Sequence, residues 1–388
     1  MKKIQFNVPS WLHNMPKLWR SLLKGLRTVF MIIILFLFGK CLISFDSFDP
    51  VKNIITNYNL SDFYFRWHSN TNTEGAAKYI LIDISDADKH SRSEIAALLE
   101  KIDQAHPKVI GLDIFFPAAS NMQQSENDSL LHVLQRIQSP LVTVSLLDPV
   151  TQDSCTYESS FFIPLLQEKQ NIVEGLANFP NNSIVRTYQP IWSSGSKSYP
   201  IFAKQIADIA GTPMLSDENE HLINYANTDT IIIHSKELTN ADILSDRVVL
   251  IGDMKDKRDQ YLIPVSLNAA RHCPGLEIHK QILLTADSGW DPYKVPKWLV
   301  MLISFFIVWG FCWVVCLIEG RRYVRHVKWF CLFLTIGVGY CLFWAGIHFS
   351  MLYILIGLSL ASAADSLLED SLLLEGTRKL CNRFFSLC

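Results

Sequence analysis

Hydrophobic positions in this chain follow two regimes. Near both ends they run unbroken for long stretches, whereas in the middle they alternate between short apolar runs and positions at helical spacing. Thr28 to Phe38 is continuous and apolar, and the run extends through Gly39 and Cys41 to Phe45 with only Lys40 interrupting. This predicts one spanning helix over residues 28–45, close to the ~20 residues a bilayer core requires. Bulky Leu42, Ile43 and Phe45 stand where a signal-peptidase site would need small residues, so the segment reads as a retained anchor. Lys40 likewise argues against a lipoprotein site at Cys41.

Trp298 to Ile318 predicts a second span, within 297–318. From Trp329 to Ala364 there is no Asp, Glu, Lys or Arg. As one helix that run would be roughly 50 Å long, against a hydrocarbon core of about 30 Å. It is therefore expected to fold into two spans, 329–346 and 347–364, turning near Gly346 and His348.

Between these ends the pattern alternates. Tyr79 to Asp83 is a strand candidate, followed by a helix from Ser91 to Gln104 with Ile95, Leu98, Leu99 and Ile102 on one face. Val109 to Phe116 is the next strand; a helix from Asp128 to Ile137 leads into a strand from Leu141 to Leu146. Ile172–Asn178 and Ser183–Trp192 are expected to pair antiparallel about Asn181 and Asn182. A helix from Ile201 to Ala210, strands at Thr230–His234 and Val248–Gly252, and a helix from Gly275 to Ala286 complete the series. Strands apolar on both faces and alternating with helices predict a mixed, mostly parallel α/β sheet with flanking helices. Residues 46–295 are taken as one domain, with 51–75 an irregular lead-in.

Charge sets the orientation. The segment 1–27 carries Lys17, Arg20, Lys24 and Arg27, the loop after the second span carries Arg321, Arg322, Arg325 and Lys328, and the tail 365–388 carries Arg378, Lys379 and Arg383. Basic flanks stay in the cytoplasm. Four spans with those flanks inside place residues 46–295 outside, in the manner of a bacterial inner-membrane protein.

Composition narrows the function classes. Half the residues are hydrophobic (49%), and 35 basic residues against 37 acidic ones leave a net charge of -2, which gives no field for nucleic acid. Nine cysteines include no Cys-x-x-Cys pair, so neither a zinc ribbon nor a thioredoxin-like motif is supported. Cys155 and Cys273 lie in the middle domain, where an oxidising compartment would permit a disulfide between them.

The middle resembles the CHASE domain of the second type, an extracytoplasmic sensor found on bacterial cyclases, histidine kinases and serine/threonine kinases. The resemblance runs from about Lys78 to Trp290. It rests on Ile82-Asp83, on Val109–Phe116 with Asp113, on Leu222-Ile223-Asn224-Tyr225, on Val248–Asp253 with Asp259 and Pro264, and on Pro274 to His279. Departures are local: Lys89–Ser93 replaces a Trp-Pro-Trp-like stretch, Asn181, Asn182 and Ser183 replace an Asp-Gly turn, and Ile263 stands where Thr usually precedes the proline. The resemblance implies a sensory receptor. Family members commonly continue into a catalytic output domain, while here only residues 365–388 follow the last span, so the signal is expected to pass to a separate protein.

Candidate chemistry lies at one sheet edge. Asp83 and Asp113 end strands read as parallel neighbours, Asp253 follows Gly252, and Asp259 sits in the next loop. Open α/β sheets place ligand crevices there. Four carboxylates suit a cation or a polar solute, against the alternative that each accepts N–H bonds at a turn or helix start. Glu277 and His279 can join from the last helix, although a lone histidine is more often structural. No nucleophile elbow, P-loop or His-Glu-x-x-His helix is present, so no enzyme, cofactor or metal is expected. The expected associations are the lipid bilayer, a small ligand, a signalling or cell-envelope protein, and a second copy of the chain. For an envelope docking role, Phe161, Phe162, Trp192 and Tyr199 are the candidate anchors.

Overall fold

Runs such as Tyr79–Asp83 and Val248–Gly252 have no face to offer water, so they must lie inside a layered fold. A computed structural model describes residues 17–43, 77–85, 91–117, 124–151, 154–166, 169–179, 184–194, 197–225, 230–264, 272–317 and 321–369. The expected lead-in 51–75, the turn at Asn181 and Asn182, and residues 370–388 of the tail lie outside them. The described residues fall into two compact units, one within Phe65–Asp291, the other within Met1–Tyr64 and Pro292–Cys388.

In chain order the elements are α1 (Lys17–Ile43), β1 (Tyr79–Asp83), α2 (Arg92–Asp103), β2 (Val109–Asp113), α3 (Gln124–Arg136), β3 (Leu141–Thr151), β4 (Ser154–Glu158) and β5 (Ile172–Leu176). Next come β6 (Thr187–Tyr188), β7 (Ile191–Ser194), β8 (Lys197–Pro200), α4 (Phe202–Ala210), β9 (His221–Leu222), β10 (Ile231–His234) and β11 (Val248–Gly252). The chain then forms β12 (Gln260–Tyr261), β13 (Cys273–Pro274), α5 (Gly275–Ser288), β14 (Tyr293–Lys294), α6 (Lys297–Leu317), α7 (Arg321–Trp344), β15 (Ile347–His348) and α8 (Leu352–Glu369).

The middle unit is a mixed, mostly parallel α/β sandwich. Its sheet runs β10-β1-β11-β2-β3, with β5 parallel to β3 and β4 antiparallel to the far half of β3. One expectation needs correction: β1 and β2 are not neighbours. β11 lies between them, and Asp83, Gly252 and Asp113 form one register row across the three strands. Every residue of β11 is buried, so this strand belongs in the middle of the sheet. A second correction concerns Ile172–Asn178, which was expected to fold back on Ser183–Trp192. Instead β5 extends the parallel sheet, while β6 pairs with β9 and β7 pairs with β8. The reason is burial: β5 is covered by α4, and a Cβ on Gly175 would lie 2.6 Å from the Cα of Phe202.

Alternation along the strands assigns each face. Ile80, Ile82, Ile110, Leu112, Val249 and Ile251 pack with Ile95, Leu99 and Ile102 of α2 and with Leu130 and Leu134 of α3. Each such side chain taken from water contributes about 1.5–3 kcal/mol. Ser91 caps α2 by accepting the Glu94 N–H at 3.3 Å. The opposite face carries α4 and α5: a Cβ on Gly111 would meet Ile206 and Phe202, and one on Gly252 would meet Leu276. The carboxylates of β1 and β2 thus share a face with the helix whose N-terminus builds the site.

The other unit is helical. α6 spans 21 residues, roughly 31 Å at 1.5 Å per residue, and with Tyr323–Trp344 of α7 it is long and apolar enough to cross a membrane. α1 and α8 contain the shorter apolar stretches Thr28–Leu37 and Leu352–Ala361. Val29 and Ile32 of α1, Val308, Phe311 and Val315 of α6, and Ile354 and Leu358 of α8 form one apolar cluster. A Cβ on Gly25 would lie 2.9 Å from the backbone nitrogen of Trp313, so α1 and α6 approach closely there. The charge-free run breaks where α7 ends at Trp344. The chain turns through Gly346 (φ 80°), and Ile347–His348 pairs with Tyr293–Lys294 before α8 begins.

Candidate functional site

Asp83, closing β1, is buried and tied to three neighbours. Its Oδ1 accepts the backbone N–H groups of Ser85 at 2.9 Å and Met254 at 3.2 Å, and its Oδ2 accepts the Ser85 hydroxyl at 2.8 Å. Nδ1 of His234, at the end of β10, lies 3.2 Å from Oδ2. A carboxylate so surrounded fixes the loops at the ends of β1, β10 and β11.

Asp113 sits two strands away and is differently placed. It is enclosed by protein yet half-buried, at the floor of the edge beside Gly252. Burial, reinforced by the charge of Asp259, holds its carboxyl well above the usual carboxylate range. Asp259 reaches the same place from the loop between β11 and β12. Its Oδ2 accepts the N–H of Gly275, the first residue of α5, at 3.1 Å. A Cβ on Gly275 would lie 2.4 Å from the Asp259 carboxylate, so only glycine permits this approach. Burial pushes Asp259 up to about 6, against the lowering effect of bonds from Gly275 and the Tyr261 hydroxyl, with the charges of Asp256 and Asp253 adding to the rise. Tyr261 is itself held neutral by burial and by the two acids.

Two carboxyl groups with raised affinity for protons, a phenol and a helix N-terminus therefore converge. Such a pair can exchange protons with a polar solute, and a bound cation would let both ionise. The remaining candidates take other places. Asp253 accepts the Lys255 N–H at 2.9 Å, an Asx-type turn. Glu277 is half-buried in the first turn of α5, where a negative charge complements the helix dipole, and it bonds the thiol of Cys273. Cys273 is a buried free thiol, so the disulfide that an oxidising compartment would permit is not formed; burial and Glu277 push that thiol up.

His279 points into the core. It is 2% exposed, with ring centroids 4.6 Å from Phe179 and 4.9 Å from Phe202, and burial pulls its pKa down to about 3. It is therefore a neutral ring at ordinary pH. Phe179 also packs edge-on against Tyr261, with ring centroids 5.2 Å apart. Of the six sequence candidates, Asp113 and Asp259 come together, Glu277 sits on the helix whose first N–H Asp259 accepts, and Asp83, Asp253 and His279 are engaged elsewhere. Tyr261 and the Gly275 N–H escaped sequence reasoning; the Pro274-Gly275 pair opening an amphipathic helix was the available signal. Among the described residues, no group of three or more His, Cys, Asp or Glu is arranged to hold a metal ion.

The sheet unit is an α/β domain flanked along the chain by apolar helices. The family model of the CHASE2 domain matches residues 28–318, most of the chain, and the chain belongs to that family. CHASE2 is an extracytoplasmic sensory domain family. The match begins within α1 and ends just past α6, so it takes in an apolar helix on each side of the sheet. No curated protein matches the chain, and no solved structure does.

Proposed function

We propose that this protein is a multi-pass receptor of the bacterial inner membrane. Its sheet domain senses a small polar or cationic ligand at the Asp113–Asp259 edge outside the cytoplasm, and it relays the signal through its helices to a separate protein rather than by catalysis of its own. The observation that carries this reading is the family match, which joins a sensory domain to apolar helices before and after it. Four crossings put every basic flank on one side, in keeping with the positive-inside bias. The apolar cluster shared by α1, α6 and α8 gives a displacement at one helix somewhere to go, since packed interfaces shift between discrete arrangements.

The test is recovery of the full chain in detergent, with and without residues 370–388. A signalling enzyme that copurifies with the full chain and is lost on deletion fits the proposal. Unchanged signalling after deletion, with no enzyme recovered, contradicts it.

A second reading, an envelope component with an extracytoplasmic docking face, is favoured by one feature. Trp192 is exposed on the β7–β8 hairpin, beside a stacked Tyr157–Tyr199 pair with ring centroids 5.0 Å apart. Phe162 is buried in the core and Phe161 packs against it, so neither serves that face. Crosslinking from position 192 to an abundant envelope protein in stoichiometric amount would select this reading.

A further inference from the structure

The acidic edge is not the only place where titratable side chains meet. His221, on β9, lies between two carboxylates: its Nε2 is 2.8 Å from Oδ1 of Asp217, and its Nδ1 is 3.1 Å from Oδ1 of Asp291. Asp217 belongs to the loop just before β9 and is fixed there by Asn219, whose backbone N–H and side-chain amide donate to it at 3.2 and 3.0 Å. Asp291 comes from a different part of the chain. It follows the left-handed cap Gly289 that ends α5, and Pro292, β14 and α6 come next. Among the described residues, Tyr188 of β6 also faces the ring, paired with His221 across the β6–β9 ribbon and 5.8 Å away between ring centroids.

Both ring nitrogens thus face acceptors. An imidazole can donate to both only when protonated; the neutral ring has one N–H and turns a lone pair toward the other carboxylate. The shorter bond to Asp217, four residues away on a turn already held by Asn219, is the one a neutral ring keeps. We propose that His221 is a proton-operated latch: protonated, it bonds Asp217 and Asp291 together and holds the exit of the sensory domain on the β6–β9 ribbon, and on losing its proton it lets Asp291 go. The two sides of the latch are exposed, with Asp217 at 36% and Asp291 at 47%, while the imidazole between them is at 10%, so water reaches the carboxylates when the ring releases them.

The electrostatics agree with this geometry. Burial alone would lower the His221 pKa, but the bonds and charges of Asp217 and Asp291 outweigh it and raise the value above 6.5. Asp217 is held below its ordinary value, its bonds from His221 and Asn219 outweighing burial, and Tyr188 is pushed up to about 12 and stays neutral. A histidine raised in the folded state contributes stability in full below its unfolded value near 6.5, and loses it as pH rises through the higher folded value. The latch is closed in mildly acidic surroundings and opens toward alkaline ones. It stands on the geometry of the sheet domain and does not depend on the ligand or partner proposed above.

Amide hydrogen exchange of the full chain in detergent, corrected for the intrinsic pH dependence of exchange, reads the latch directly. In the peptide covering residues 287–294, exchange should be about tenfold faster at pH ~8.5 than at pH ~5.5, the scale of one charge-assisted hydrogen bond. In His221→Gln it should be fast at both pH values, and in Asp291→Asn the pH dependence should shrink. Residues 248–252 of β11 should stay protected in all three, which reports an intact fold. Exchange that is independent of pH in the unsubstituted chain, or a pH dependence that survives in both variants, overturns the latch.

Discussion

The two units dispose of apolar side chains in opposite ways. In the sheet domain, Leu81, Val248 and Leu250 are wholly buried, whereas in the helical unit Phe330, Phe333 and Trp344 are 65, 67 and 71% exposed. A surface of large aromatics around an apolar interior is costly in water and favourable in lipid. The difference is what two solvents would require: the helical unit carries apolar groups inside and on its surface, whereas the central strands β1, β11 and β2 keep theirs inside.

Substitutions can break that comparison. The largest effect is expected from Leu250→Ala in the centre of β11, where a cavity between the helix layers should destabilise the sheet domain by about 2–5 kcal/mol in denaturant titration. Next is Phe333→Lys at the middle of α7. In lipid it should cost roughly 2.5–3.5 kcal/mol and lower the yield of membrane-inserted chain, whereas in water an exposed Phe→Lys change would be nearly neutral.

A smaller effect separates the acidic edge from the rest of the sheet. Asp113 and Asp259 both bind protons more tightly folded than unfolded, so stability should fall as pH climbs from the ordinary carboxylate value of 3.8 toward about 6. Asp259→Asn should flatten that slope, changing stability by about 1–2 kcal/mol across the window, as seen in melting temperature against pH. Smallest of all is Gly337→Ala on α7, where an added Cβ meets nothing within 4 Å. Its melting temperature should hold or rise slightly, because Ala is the better helix former by about 1 kcal/mol.

What could be read from sequence was what depends on local pattern. β1 and β11 were delimited by their own apolar runs, α2 by Ser91 and its spaced leucines, and α5 by Pro274-Gly275. Pairing across the chain was less accessible. Nothing local to Val248–Gly252 says that it inserts between β1 and β2, and nothing in Ile172–Leu176 chooses a parallel partner over a hairpin, because both choices are settled by which surface α4 and α5 cover. The site divides the same way. Asp113 was visible as an acid ending an apolar strand, whereas Tyr261, the Gly275 amide and the His221 latch arise from contacts between distant segments. Asp83 and His279 looked alike as candidates with Asp113, yet they serve turns and core packing, a distinction that only three-dimensional neighbours make.

The proposed partition of this chain between lipid and water outside the cytoplasm is tested most directly by paired reporter fusions at residue 178, in the sheet domain. A phosphatase that works only outside the cytoplasm should be active there, and a fluorescent protein that folds only in the cytosol should stay dark. A bright fluorescent fusion with an inactive phosphatase would contradict the account.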